Sequence, residues 1–154
     1  MWNFDKVTKH LNSKGIPFEE VEFSDTAISA RLADTSLKGN YAPANAIKTL
    51  LVKGKTGVVA VILKGEDKID SEKLKALIGK WSVVTTGELE TDFGLIPGGI
   101  NPFVLDVPVF VDEQVLTLKV LSMGAGSVSK GINMKTEDFA NNLKFKTASV
   151  RKES

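Results

Sequence analysis

Residues 46–63 read AIKTLLVKGKTGVVAVIL. Two runs rich in leucine and β-branched residues flank the short GKTG segment at 54–57. A link this short joins antiparallel neighbours, because a parallel return needs about a dozen residues or more. We therefore expect a β-hairpin in the middle of the chain. Side chains alternate along a strand, so Lys48 shares one face with Leu50 and Val52, and Ile47, Thr49 and Leu51 share the other. Whichever face is buried, Lys48 is an ammonium heading an apolar row.

The flanking segments extend this pattern. On the N-terminal side, Phe4, Val7 and Leu11 recur at helical spacing, with Asn3 placed to cap and Gly15 to end the helix. FEEVEF (18–23) reads as an edge or half-exposed strand, a second helix is expected from Ser24 or Asp25 over Thr26–Leu32, and TSLKGNYAP (35–43) reads as a loop. Beyond the hairpin, Ser71 is placed to cap a helix carrying Leu74, Leu77 and Ile78. WSVVTT reads as a strand and GELETD as a single helical turn. PVFVD, TLKVLSM and VSKGINM read as strands, with GAGS (124–127) as a tight turn. Thr136 is placed to cap a last helix, TEDFANNL, and KFKTASV has strand character. Short helices interrupting strands joined by hairpin-length loops give an α/β (α+β) fold. The expectation is a single domain over residues 1–154, with a mixed, mainly antiparallel sheet flanked by short helices and Lys48 on a central strand.

Composition narrows the chemistry. At 154 residues, with 42% hydrophobic and 25% charged residues, the chain has the make-up of a globular domain. No apolar run approaches membrane-span length, and MWNFDKVTKH lacks the basic-then-apolar order of a signal peptide. There is no cysteine, so disulfides and thiolate chemistry are excluded and the cytoplasm is the default location. His10 is the only histidine, and we expect it at the surface of the first helix. Zinc clusters of His and Cys, a nucleophilic triad and a phosphate-binding GxxxxGK[ST] loop are all missing from the sequence, and no metal or cofactor is expected.

Charge is uneven along the chain. From Gln114 onward there are 7 basic and 3 acidic residues, against 13 basic and 16 acidic before it. A basic C-terminal third is suited to phosphate contacts, and a solvated surface with a frayed FKTASVRKES end satisfies the same count.

The segment FGLIPGGINPF (93–103) packs three glycines and two prolines into a stretch that suits neither a regular helix nor a central strand. A stiff turn there turns its peptide N–H and C=O groups outward, as a ligand held by backbone requires. An ordinary structural loop uses the same residue types. Lys48 has a similar double reading. A buried lysine needs a partner or an anionic ligand, whereas one at a strand's start can reach back to water.

In order along the chain, IKTLLVK (47–53), GEDKIDSEKL (65–74), PGGINPF (97–103) and PVFVD, GAGS, GIN and EDF between 108 and 139 together resemble the YbaK/prolyl-tRNA synthetase-associated editing domain. The resemblance runs from about residue 24 to residue 139. It implies an aminoacyl-tRNA deacylase that hydrolyses mischarged tRNA, in particular tRNA for proline carrying a small non-cognate amino acid. It places the family's strand lysine on Lys48 and its Gly-x-x-x-Pro loop on Gly98, Gly99, Ile100, Asn101 and Pro102, with Thr26 at a helix start facing the pocket. Gly126 and Ser127 fall at the pocket's border, where a plain strand-to-strand turn is the simpler reading. GAGSVSKGIN is closer to the synthetase-inserted branch than to the serine-glycine pattern of the YbaK branch.

The chain opens at Met1 and carries no synthetase catalytic motif, so action in trans is expected, with charged tRNA as partner and prolyl-tRNA synthetase as a further candidate. A non-catalytic tRNA-binding or synthetase-associated module is the alternative, and a small-molecule binding protein using the same pocket is a third.

Overall fold

The computed structural model describes residues 1–22 and 43–153. The central hairpin forms as expected. Strand β2 (Ile47–Gly54) pairs antiparallel with β3 (Gly57–Lys64), in a register that runs from Ile47 opposite Lys64 to Gly54 opposite Gly57. It belongs to a five-stranded sheet, in which the two-residue β4 (Ser82–Val83) adds antiparallel to β2. On the other side β5 (Val109–Asp112) adds parallel to β3, and β8 (Lys146–Ala148) adds parallel to β5. A three-stranded antiparallel sheet is formed by β1 (Glu19–Glu22), β7 (Lys130–Lys135) and β6 (Val120–Gly124), with β7 in the middle. One parallel bridge, Ala46 to Ser122, joins the two sheets. The fold is α+β with mixed, mainly antiparallel pairing.

Strand β3 explains why VVAVIL is apolar without a break. Ala60 and Ile62 enter the larger core with Ile47, Leu51, Leu121 and Ile132, while Val59, Val61 and Leu63 enter a second core on the other face with Val52, Leu74 and Val150. A strand covered on both faces loses the alternation of a half-exposed one. Helix α1 (Phe4–Ser13) packs Val7 and Leu11 into the larger core, with the Asn3 side chain accepting from the Lys6 N–H at its start. Helix α2 (Ser71–Ile78) closes the second core with Leu74. Helix α3 (Thr86–Phe93) and helix α4 (Thr136–Asn142) bury Leu89 and Phe139 in the larger one. Among the described residues no helix is long and apolar enough to cross a membrane.

Several local expectations change. The cap of α2 is Asp70, not Ser71, because its carboxylate accepts from both the Glu72 and Lys73 N–H groups. Thr136 is the first residue of α4 rather than its cap, and its buried hydroxyl has no hydrogen-bond partner among the described residues. GELETD forms a full eight-residue helix, started by the reciprocal capping box between Thr85 and Glu88. WSVVTT contributes only the two residues of β4. The helix expected over Thr26–Leu32 lies outside the described residues.

The C-terminal end is built into the fold instead of frayed. Val150 is fully buried, and the Asp112 carboxylate, also fully buried, accepts from the N–H groups of Val150 (2.9 Å), Arg151 (3.1 Å) and Gln114 (3.0 Å). The next residues hold the segment before α2: Asp70 N–H donates to Val150 O (2.8 Å) and Lys152 N–H to Lys68 O (2.7 Å). Asp112→Asn keeps the shape but turns one acceptor into a donor facing an N–H. A loss of about 3 kcal/mol is expected in urea unfolding, the scale of a buried charged group losing its partners. A change too small to measure would mean that water replaces the carboxylate there.

Candidate active site

The glycine-proline segment begins where α3 stops. Gly94 takes the left-handed conformation (φ 64°, ψ 34°), and its carbonyl accepts from the Trp2 N–H at 2.8 Å. Leu95 turns inward to the core. Pro97 then occupies the second position of a tight turn and Gly98, at φ 77°, the third, closed by Gly99 N–H to Ile96 O at 3.1 Å. Proline followed by a positive-φ glycine is the pattern of a type II turn. Asn101 is fully buried, and its side chain makes the next connection. Its Oδ1 accepts from Phe103 N–H (3.0 Å), starting the short 3-10 turn Pro102–Val104, while Nδ2 donates to Gly124 O (2.9 Å).

This last bond joins the loop to the end of β6. Gly126 N–H donates to Gly99 O at 2.7 Å, so residues 99–101 line the edge of 124–126. The two backbones lie closer than any side chain allows. A β-carbon on Gly124 would sit 2.9 Å from both the Gly98 and Ile100 oxygens, and one on Gly126 would sit 2.6 Å from the Asn3 carbonyl carbon. A β-carbon on Gly99 would meet the Ile96 side chain first, at 2.7 Å from Cγ1, and the Ser127 backbone nitrogen at 3.1 Å. The structure therefore brings together Gly98, Gly99, Ile100, Asn101 and Pro102 with Gly126 and, through its backbone N–H, Ser127. The Ser127 hydroxyl accepts from the Ser129 and Lys130 N–H groups, as a turn-forming serine does.

Lys48 lies on the strand whose start meets β6. Ala46 bridges Ser122 on the same edge of β6 that carries the loop two residues further on. Ile47, Leu51, Leu121 and Met123 all enter the larger core, so Ala46, Lys48 and Ser122 take the opposite face by alternation. The half-buried Lys48 donates a hydrogen bond to the Asp67 carbonyl rather than to the loop. Asp67 belongs to the segment following β3, which is tied back by Gly65 N–H to Ala46 O at 2.7 Å. Thr26 lies outside the described residues.

Burial pulls the Lys48 pKa below the ordinary lysine value; the Asp67 charge opposes this and Lys68 adds to it. The unfolded chain thus holds the proton to higher pH than the folded one. Stability attributable to Lys48 is lowest while the ammonium persists in both states. It rises as pH climbs through the lowered value towards that of a free lysine, about 10.4. Urea unfolding of wild type and Lys48→Met across that range is expected to show the wild type gaining relative to the variant as pH rises. A pH-independent difference contradicts it.

Three contacts had little or no sequence signal. Ser122 and Asn133 face each other across β6 and β7 and form a buried side-chain hydrogen bond on the Lys48 face. The alternation of GIN and LSM around apolar neighbours was their only trace. His10 is half-buried instead of at the surface: its Nε2 lies 3.1 Å from the Phe103 carbonyl and its ring packs edge-on to Trp2, which props the far end of the loop. Asp67 carries a buried carboxylate oxygen, Oδ2, with no hydrogen-bond partner among the described residues. Among the described residues no group of three His, Cys, Asp or Glu is arranged to hold a metal ion.

Known proteins resemble this chain in part of its sequence and in its fold. Over 84 residues the chain is 36% identical to the proline–tRNA ligases of Thermotoga sp. (strain RQ2) and Thermotoga maritima, covering 53% of this chain and only 15% of theirs. A crystal structure described as a candidate trans-editing enzyme for prolyl tRNA synthetase superposes with a TM-score of 0.80 at 18% identity, over 96% of this chain and 95% of that one. A candidate signal transduction protein from Marinobacter aquaeolei VT8 has the same fold in 30% of its chain, with a TM-score of 0.71 and 18% identity over 96% of this chain. At such identities the superpositions establish the fold alone. The aminoacyl-tRNA editing domain model matches residues 30–141, and the chain belongs to that family.

Proposed function

We propose that this protein hydrolyses the ester of mischarged aminoacyl-tRNA, with Lys48 and the peptide groups of Gly98–Pro102 as its reacting surface. The observation that carries this reading is the seam between residues 98–101 and 124–126, where hydrogen bonds and backbone contacts leave no room for a β-carbon on Gly124. Such a loop is rigid before any substrate arrives. Fixed peptide dipoles are worth most when they need no reorganisation as charge develops on the ester carbonyl.

In the proposed reaction a water oxygen adds to the ester carbonyl carbon, and the carbonyl oxygen takes up the negative charge. The Lys48 ammonium and loop N–H groups stabilise that oxyanion. As the tetrahedral centre collapses, the bond to the ribose oxygen breaks; that oxygen takes the proton given up by the added water, and the free amino acid leaves. Aminoacyl esters are already activated, so positioning supplies much of the rate. A confined pocket excludes large side chains, the logic of a second sieve.

Supporting the choice of tRNA for proline are the proline–tRNA ligases to which the chain is similar. The test is release of labelled amino acid from tRNA for proline charged with alanine, cysteine, serine or threonine, with the proline-charged tRNA as control. Faster release of at least one non-cognate amino acid is expected. Release no faster than spontaneous hydrolysis for all of them would leave a binding module with this fold.

Lys144 and Lys146 are exposed, whereas the backbones of Arg151 and Lys152 are tied to the core. If the basic end touches tRNA, neutralising Lys144, Lys146, Arg151 and Lys152 together weakens binding. The log–log salt slope then falls by about one for each phosphate left without a basic partner. Unchanged affinity at low and moderate salt would assign these residues to the surface alone.

A further inference from the structure

Asp67 stands out among the groups the proposed reaction leaves unused. Its backbone carbonyl accepts from the Lys48 ammonium and its charge acts on that lysine, while among the described residues its carboxylate oxygen Oδ2 is buried without a partner. A buried carboxylate oxygen left unsatisfied is costly, and such groups call for an explanation. The segment holding it is not loose. Asp67 N–H donates to Lys64 O (3.0 Å), Gly65 N–H to Ala46 O (2.7 Å), Asp70 N–H to Val150 O (2.8 Å) and Lys152 N–H to Lys68 O (2.7 Å). Backbone bonds on either side of Asp67 thus hold it on the Lys48 side of the site, with no strain at positive φ to explain it.

An aminoacyl ester carries two features beside each other: the carbonyl to be attacked and, one carbon away, a primary ammonium. Lys48 alone would attract the developing oxyanion and repel that ammonium. A carboxylate next to Lys48 removes the conflict. We infer that the Asp67 carboxylate is the subsite for the α-ammonium of the aminoacyl group, with Lys48 left to the ester oxygens. This rests on the deacylase reading for the identity of the ligand. It adds that the site distinguishes a free amino acid ester from an acyl ester lacking the amine.

The probes are two stable analogues: adenosine carrying alanine through an amide in place of the ester, and the same compound with propionate in place of alanine. Binding is measured by calorimetry on the full chain. At pH about 6.5 the alanyl compound is expected to bind wild type about tenfold or more tighter, the size of one charge-assisted hydrogen bond. The preference shrinks at pH about 9.5, above the ordinary range of an α-amino group. Asp67→Asn brings the two affinities together chiefly by weakening the alanyl compound, with a melting temperature close to wild type. Asp67→Ser is the alternative should the asparagine variant not fold.

Equal affinities in wild type overturn the inference, as do a preference that survives in both variants, an equal weakening of both compounds, or no binding of either at millimolar concentration. Amino acid release from charged tRNA, measured in parallel, keeps the two ideas apart. Release with equal affinities refutes only the ammonium subsite. An ammonium preference without release refutes the hydrolase and keeps the subsite.

Discussion

Lys48→Ala is expected to lower single-turnover deacylation by roughly a hundredfold to a thousandfold, the range seen when one oxyanion donor is removed. The fold should survive the change. Lys48 is half-buried at the end of the strand face that builds the second core, opposite Leu63, and its hydrogen bond goes to a carbonyl on a segment held independently by four backbone bonds. Loss of a desolvated ammonium also removes an unfavourable burial, which offsets the missing bond. Lys48→Arg restores charge but presents a planar fork where a compact ammonium stood, so partial recovery is expected. Turnover and melting temperature measured on the same preparations decide the matter. A folded Lys48→Ala protein with wild-type turnover would falsify the site.

Gly124→Ala is the second large effect, and it acts through geometry alone. The added carbon meets two carbonyl oxygens of the loop at 2.9 Å, and neither is the far end of a flexible side chain. Either β6 or the loop must shift, and the Asn101 amide bonded to Gly124 O shifts with it. Overpacking of this kind costs about 1–3 kcal/mol of stability. A displacement near one ångström at a reacting centre costs on the order of a hundredfold in rate. Activity should therefore fall well beyond what the reduced stability explains at a temperature where the variant stays folded. Gly99→Ala is the comparison, with a smaller effect expected because a side chain, Ile96 at 2.7 Å, must yield before the Ser127 backbone nitrogen at 3.1 Å. Equal effects of the two substitutions would show that the close seam at Gly124 has no special part in the reaction.

Much of the fold was legible from local chemistry. The GKTG turn between two β-branched runs specifies the hairpin. Helical spacing of Phe4, Val7 and Leu11 after Asn3 specifies α1, and the neighbouring glutamates of FEEVEF mark β1 as an edge strand. Pro97 followed by Gly98 specifies the turn at the head of the loop. These signals depend on residues within a few positions of one another, and so a sequence displays them. Cap positions were harder. Ser71 and Asp70 are both capping residues, and only the direction of the Asp70 carboxylate chose between them.

What the sequence by itself determined was the set of elements, the unbroken apolar strand at the centre and the residues that resemble an editing domain. The tertiary structure alone decided that Ala46 meets Ser122, that residues 99–101 continue along the same edge of β6, and that the C-terminal residues hold the segment whose carbonyl receives Lys48. His10, Asp67 and Asp112 gain their positions in the same way, from partners distant in the chain or from burial. The physical reason is that a hydrogen-bond donor or carboxylate has no local periodicity of its own. Its partner is selected by how separate elements pack, and that packing follows from the whole apolar surface at once.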